Sequence, residues 1–273
     1  MPSPTTSTGA DLCISDNLVV LFRGHVYSQE KLELVMHDID SAIKTMKLCP
    51  DCRGLESCQL NPRGWQAYYD EEGSKLYGMP HFAYRPCRCW YEAQQGEIKR
   101  RFKERTFENF EVTDDNRQAY EYCQKYAENF DRMTTKGLLL VGPPGTGKTH
   151  LATAIHKTVL GKGIASVFVN MPNLVDELLR AFKSGDSSAT YQAALSKRLV
   201  IIDDLGVERL RDWVQEYIYR LINERYEKML PLVVTTNCSI KELEGRIGDP
   251  AVDRLAEMCQ IVPVEGRSWR RKK

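Results

Sequence analysis

The chain has 273 residues, 42% of them hydrophobic, with 38 Lys and Arg against 37 Asp and Glu and a formal net charge of +1. That is enough chain for one or two compact domains, and the balanced charge gives no whole-chain signal for nucleic acid or an anionic membrane. No apolar run approaches the roughly 20 residues of a bilayer crossing, and Met1 to Gly9 lack the basic and apolar regions of a signal peptide. The expectation is a cytoplasmic protein that engages no membrane, with a short disordered start.

The first patterned stretch, Gln29 to Lys47, places apolar residues at Leu32, Leu34, Val35, Ile39, Ile43 and Met46, the spacing of an amphipathic helix. Cysteines follow as Cys49-Pro-Asp-Cys52, Cys58 and Cys87-Arg-Cys89. Nine cysteines without a secretory signal point to metal or free thiols rather than a disulfide framework. A CxxC knuckle sets two thiolates on one tetrahedral Zn2+, and a second nearby pair closes the site. Cys49, Cys52, Cys87 and Cys89 are therefore expected as zinc ligands, with Cys58 as the substitute and His81 as a further candidate. The alternative is a set of reduced cysteines filling a small core, and it is preferred for the isolated Cys13, Cys123, Cys238 and Cys259.

Trp65, Tyr68, Tyr69, Tyr77, Phe82, Tyr84, Trp90 and Tyr91 surround the cysteines. They read as the core of a domain too small to hold itself together without metal, or in part as a partner-facing surface. Gln94 to Arg105, carrying Lys99, Arg100, Arg101, Lys103 and Arg105, reads as a charged linker or helix. The expected division is residues 1–95, a linker at 96–105, and a second domain at 106–273.

In the second domain, the apolar run Leu138 to Val141 leads into Gly142-Pro143-Pro144-Gly145-Thr146-Gly147-Lys148-Thr149, and a helical pattern begins at His150. Strand, glycine-rich loop, Lys-Thr and helix together form a P-loop, which binds a nucleoside triphosphate, expected to be ATP, with backbone N–H groups around the phosphates. Lys148 reaches the β- and γ-phosphates, and the Thr149 hydroxyl ligates Mg2+. Leu199 to Ile202 reads as a strand buried on both faces that ends in two carboxylates. Asp203 is expected to hold the Mg2+ through water. Asp204 stands where a base would polarise the attacking water, or alternatively serves as a turn residue before Leu205-Gly206. A third apolar strand, Leu230 to Val234, ends in Thr235-Thr236-Asn237, which makes Asn237 the candidate sensor of the γ-phosphate. Strands near 137–142, 166–170, 198–203, 231–236 and 259–263 predict an α/β fold, a parallel sheet with helices on both faces and ligand at the strands' carboxyl ends. Only a remnant of a helical lid fits after Ile240.

These segments resemble the DnaC/DnaI-type bacterial helicase loaders, relatives of the replication initiator ATPases within the AAA+ class. The resemblance rests on Thr106-Phe107-Glu108-Asn109-Phe110, GPPGTGKTHLA at 142–152, IIDDLGVE at 201–208, TTN at 235–237 and AVDRL at 251–255. CPDCRGLESC and YRPCRC look like the zinc-binding helicase-interaction module of the DnaI branch. The resemblance implies an AAA+ ATPase domain preceded by a small helical zinc-binding domain. It also implies switch-like use of ATP, self-association, a DnaB-type hexameric helicase as partner, and single-stranded DNA as the place of loading; Asp204, where vigorous AAA+ motors carry a longer glutamate, points to slow ATP hydrolysis. Carried over by motif, Arg254 matches the arginine finger, with Arg246 as second choice; Arg270 matches a late sensor-like arginine, or belongs to a plain basic tail. Phe107 and Phe110 would lie near the adenine, or simply pack. Residues 173–197 correspond to the helical element that initiator ATPases use along single-stranded DNA, where Arg180, Lys183, Lys197 and Arg198 meet phosphates. An IstB-type transposition helper with a similar ATPase core is the alternative, and a small-molecule kinase is a third reading that Asn237 and Arg254 argue against.

Overall fold

The computed structural model describes residues 12–14, 19–22, 25–52, 57–61, 63–90, 102–206 and 212–269. The chain divides into two compact units, residues 1–91 and 92–273.

In the first unit, strands β1 (Leu12–Ile14), β2 (Val19–Phe22) and β3 (His25–Ser28) form an antiparallel sheet. Ser28 caps helix α1 (Gln29–Glu33), and α2 (Met36–Leu48) follows after a break at Leu34 and Val35. The single amphipathic helix expected over 29–47 is thus two. Val35 leaves the helical region at φ −117°, ψ 14°, and its side chain turns into a small core with Tyr27, Leu32, Ile39 and Phe82. Strands β4 (Trp65–Tyr69) and β5 (Phe82–Pro86) pair antiparallel around helix α3 (Glu71–Tyr77). Asp70 caps α3, and Gly78 ends it at φ +61°, a left-handed cap that glycine adopts without strain. The Thr45 hydroxyl ties α2 to β4 by accepting the Ala67 N–H at 3.1 Å. The unit is therefore mixed α and β, which corrects the expectation of a small helical domain. Its strands are three to five residues long, too short to print a clear period on the sequence.

The second unit carries a five-stranded parallel sheet of β6 (Gly137–Val141), β7 (Ser166–Asn170), β8 (Leu199–Asp203), β9 (Leu232–Thr236) and β10 (Cys259–Pro263). The order is β10-β6-β9-β8-β7. Successive side chains point to opposite faces of a strand, and the core follows that alternation. Leu138, Leu140, Phe168, Leu199, Ile201 and Val233 pack with helices α4 (Arg117–Asn129) and α5 (Lys148–Gly161). Leu139, Val167, Val169, Val200, Ile202, Leu232 and Val234 face the other way. They meet α6 (Met171–Ser184), α7 (Ala189–Ser196), α8 (Asp212–Glu227), α9 (Ile240–Ile247) and α10 (Asp249–Met258). Each fully buried aliphatic residue contributes about 1.5–3 kcal/mol of transfer free energy. The central strands carry continuous apolar runs, up to the polar carboxyl-terminal tips of β8 and β9, because both of their faces are covered.

A guanidinium lies deep in this core. Arg225 of α8 is fully buried. Its Nη1 donates to the carbonyls of Ala194 and Lys197, both at 2.9 Å, and its Nη2 to those of Arg198 at 3.0 Å and Pro231 at 2.9 Å. The guanidinium thereby joins the end of α7, the start of β8 and the approach to β9. Arg225→Met keeps the length but strands four carbonyls. It is expected to cost about 3–5 kcal/mol of unfolding free energy, read by urea denaturation; a loss below about 1 kcal/mol would contradict this assignment.

Candidate nucleotide-binding site

The loop between β6 and α5 lies at the carboxyl end of the sheet and borders a cleft of about 370 Å³. Gly145 and Gly147 sit at φ +91° and +105°, a region closed to most side chains. A Cβ on Gly145 would also come within 2.2 Å of Ser268 Oγ, and one on Gly147 within 2.8 Å of the Phe110 ring. Lys148 is buried and its Nζ donates to the Gly142 and Pro143 carbonyls, both at 2.7 Å, so the ammonium is held against the loop. Pro143 and Pro144 form the exposed outer side of the loop, while the Thr146 hydroxyl folds back on the Pro143 carbonyl at 3.0 Å. Thr149 is buried in the first turn of α5.

Across the cleft, the tips of β8 and β9 are tied together. Thr235 Oγ1 donates to Asp203 Oδ1 at 2.8 Å and accepts the Asp204 N–H at 2.9 Å. The Leu205 N–H reaches the Thr235 carbonyl at 2.9 Å. Asp203 is buried at the strand end, whereas Asp204 turns to φ +62° and lines the cleft with Asn237. Aspartate tolerates that left-handed conformation better than most residues. Among the expected residues, the cleft lining includes Gly145, Gly147, Lys148, Thr149, Asp204 and Asn237. A lysine, a threonine hydroxyl and a buried carboxylate around an open loop form a hard-oxygen and cationic donor set. It suits Mg2+ and a triphosphate.

Phe110 lines the cleft, while Phe107 packs in the apolar cluster, edge-on to Tyr120 at 5.8 Å. Phe102 and Arg105, from the stretch expected to be a linker, line the cleft too. The segment after β10 also contributes. Val264 N–H reaches the Val141 carbonyl at 2.7 Å, and Trp269 N–H reaches the Gly145 carbonyl at 3.0 Å. The Trp269 ring lines the cleft, with the Arg267 guanidinium 4.6 Å from its centroid. Nothing in the local sequence marks Trp269, because its proximity to the P-loop is set by the pairing of β10 with β6. Arg270 lies outside the described residues. Arg254 stands on α10, outside the cleft lining. Its Nε donates to Asn223 Oδ1 at 2.6 Å, its Nη1 to the Pro250 carbonyl at 2.9 Å, and it lies 5.0 Å from the Tyr219 ring centroid. Arg246 donates to the Gly206 carbonyl. Arg180 and Lys183 are exposed on α6, and Lys197 and Arg198 are half-buried before β8.

His150 of the cleft donates from Nε2 to the Thr106 carbonyl at 2.8 Å and meets the Phe110 ring edge-on at 5.0 Å. Burial, opposed by that carbonyl, lowers its pKa below 6.5. A base with a depressed folded pKa binds protons more readily when unfolded. Its contribution to stability is therefore complete above about pH 6.5 and is lost as pH falls toward the folded value. The nucleotide-free protein is expected to lose melting temperature more steeply from pH 7 to 5 than its His150→Gln variant; parallel curves would contradict this.

In the first unit, the cysteines lie close together without forming a complete centre. Cys52 Sγ and Cys89 Sγ are 3.5 Å apart. The Gly64 N–H donates to Cys58 Sγ at 3.3 Å and the Trp90 N–H to Cys87 Sγ at 3.4 Å. Burial raises the Cys49 pKa; the Gln66 side chain opposes the rise, and the nearby thiols of Cys52, Cys87 and Cys58 add to it. Among the described residues, no three His, Cys, Asp or Glu side chains are arranged to hold a metal ion. The four-thiolate site expected from Cys49, Cys52, Cys87 and Cys89, with Cys58 as substitute, is thus not assembled. His81 pairs instead with Asp70 at 3.0 Å. Among the described residues, Cys123, Cys238 and Cys259 are free and buried, as expected of core cysteines.

Parallel strands in this order, a P-loop opening α5 and paired acids at the tip of β8 define a P-loop nucleotide-binding protein of the AAA+ class. Residues 95–273 match the family described as IstB-like ATP binding protein, and the chain belongs to that family. It is 31% identical over 140 residues to an ATP-binding protein of the insertion sequence IS5376 from Geobacillus stearothermophilus, covering 50% of this chain and 55% of that protein. It is 28% identical over 153 residues to the replicative helicase loader DnaC of Escherichia coli, covering 55% and 62%. The chain thus spans little more than half the length of these relatives. A crystal structure of the DnaC helicase loader superposes with a TM-score of 0.57 at 29% identity, covering 61% of this chain and all of that one. A crystal structure of DnaI, at 20% identity and a TM-score of 0.55, shares the fold. Among the described residues, no helix is long and apolar enough to cross a membrane.

Proposed function

We propose that the protein is an ATP-dependent loader: its first unit holds a DnaB-type hexameric replicative helicase, and its second unit uses ATP as a switch while the helicase is placed on single-stranded DNA in the cytoplasm. The observation that carries this reading is the match of the second unit to the whole of the solved DnaC helicase loader at 29% identity. The cysteine-rich first unit, separate from the ATPase unit, supplies a second surface on which a partner can be held.

In this reading, Lys148 holds the β- and γ-phosphates, and the N–H groups of residues 145–149 surround them at the start of α5. Mg2+, when bound, offsets phosphate charge, and Thr149 and Asp203 are the residues to hold it. Asp204 polarises the attacking water and Asn237 orients it. Arg254, absent from its own cleft lining, serves the cleft of a neighbouring copy, so that hydrolysis waits for assembly. Asp204 stands in a left-handed turn with a short side chain, which fits slow turnover. Trp269, Phe110 and Phe102 are aromatic groups of the cleft available to the base. Zn2+ is proposed for the cysteine cluster. Two thiolates on one tetrahedral zinc with bonds near 2.3 Å stand about 3.8 Å apart. The Cys52–Cys89 separation of 3.5 Å is near that value.

A second reading, an ATPase that assists transposition, is favoured by the family description and by the 31% identity to the IS5376 protein. Co-purification of the full chain with the host's replicative helicase, with zinc measured on the same sample, separates the two. The loader reading expects helicase capture and about one zinc per chain. Capture of a transposase and target DNA, with no helicase, would move the assignment to the second reading.

A further inference from the structure

Asn170 closes β7 and is 1% exposed. In the parallel ladder it is the register partner of Asp203. The pairing of Ile202 with Val234 sets Thr235 on the other side of Asp203. Two residues earlier on the three strands, Phe168, Ile201 and Val233 all belong to the apolar cluster beneath α5. Side chains two apart share a face, so Asn170, Asp203 and Thr235 form a polar row facing α5. The first turn of α5, on the face that meets this row, carries Thr149, whose carbonyl accepts the Thr153 hydroxyl at 2.7 Å.

The row is unevenly satisfied. Thr235 is engaged on Asp203 and on the Asp204 N–H. Among the described residues, neither Oδ1 nor Nδ2 of Asn170 meets a hydrogen-bond partner. A buried amide left unpaired is costly, and native cores rarely keep one without a reason. Val167, Phe168 and Val169 fill the middle of β7, so a valine or leucine would satisfy this position better if packing were its only role. Paired strands lie about 4.8 Å apart, which puts the Asn170 amide within one water molecule of the Asp203 carboxylate.

We propose that Asn170 is a positioning residue of the metal site: its amide holds a water of the Mg2+ shell against Asp203, and its buried hydrogen-bonding capacity is satisfied when metal and nucleotide bind. The inference rests on the reading of the cleft as a Mg2+–nucleotide site. It assigns the cluster a third polar strand tip, from β7, beside those of β8 and β9. Partners of this kind, one step beyond the direct ligands, typically change metal affinity by about 10- to 100-fold when removed.

The test uses the full chain with wild-type Asn170, Asn170→Leu and Asn170→Ser. Mn2+ replaces Mg2+ and is titrated into the ADP complex by electron paramagnetic resonance. ADP affinity in EDTA and the melting temperature without nucleotide are measured in parallel. Asn170→Leu is expected to weaken Mn2+ binding about tenfold, leave ADP affinity in EDTA within about twofold, and raise the nucleotide-free melting temperature. Asn170→Ser, which keeps a hydroxyl for the water, falls between. Unchanged Mn2+ affinity in Asn170→Leu overturns the proposal, as does an equal loss of ADP affinity with and without metal. If Asn170→Leu does not fold, Asn170→Ala against Asn170→Ser is judged by the same criteria. A wild-type chain whose ADP binding ignores Mn2+ would sink the nucleotide-site reading itself, and this inference with it.

Discussion

Lys148→Ala is expected to lower ATP turnover by about a hundredfold or more and to weaken ATP binding. The Lys148 ammonium is buried and fixed by two loop carbonyls at 2.7 Å, so its charge meets phosphate in a poorly screened setting where electrostatic contributions are large. A hundredfold corresponds to about 2.7 kcal/mol of lost transition-state stabilisation. The fold is expected to survive, because the lysine contributes little to the apolar core of α5, which rests on Leu151, Ala154, Ile155 and Val159. Steady-state phosphate release and fluorescent-nucleotide titration check the two effects separately. Turnover within a few-fold of wild type would mean that the cleft is not the site of hydrolysis.

Arg254→Ala has the second large expected effect, and it differs in kind. Nucleotide binding by the isolated chain is expected to hold within about twofold, while turnover of the assembled protein falls about a thousandfold, the size of effect that loss of an arginine finger has. Arg254 is positioned rather than mobile. Asn223 and the Pro250 carbonyl hold its guanidinium, and the rings of Tyr219 and Tyr226 lie 5.0 and 5.8 Å away. The informative experiment mixes chains. A Lys148→Ala subunit still offers Arg254, and an Arg254→Ala subunit still offers an intact cleft, so the mixture should recover turnover that neither variant shows alone. Absence of recovery, with both variants folded and assembling, would show that Arg254 does not act on a neighbour's nucleotide.

Much of the second unit is legible in the sequence because its chemistry is local. Glycines that open a loop sit beside the Lys-Thr pair at a helix start, and two acids directly follow a buried strand, so each motif is read within a few residues and coincides with the structure. The three central strands are equally plain, since burial on both faces leaves continuous apolar runs at 138–141, 199–202 and 232–234. What the sequence hides depends on residues far apart in the chain. Trp269 reaches Gly145 only because β10 pairs with β6. Asn170 faces Asp203 only through strand register. Arg225 looks like one more helix-surface cation until the four carbonyls that surround it are brought together by the fold.

The first unit is harder to read for a related reason. Its elements are short, so helical and strand periods overlap, and the break at Val35 comes from a side chain drawn into a core that the sequence does not reveal. Its cysteine spacing suggests a closed tetrathiolate site, yet among the described residues the gathered thiols form no complete metal centre, and Cys58 and Cys87 accept backbone N–H groups.

The central claim is that ATP binding in the cleft drives transfer of a helicase held by this protein to single-stranded DNA. It is tested most directly by loading the host's replicative helicase onto closed circular single-stranded DNA that carries an annealed strand, and measuring strand displacement. The account predicts displacement that requires both this protein and ATP, and that is lost with Lys148→Ala. Displacement that is equally fast without this protein, or that ignores ATP, would contradict it.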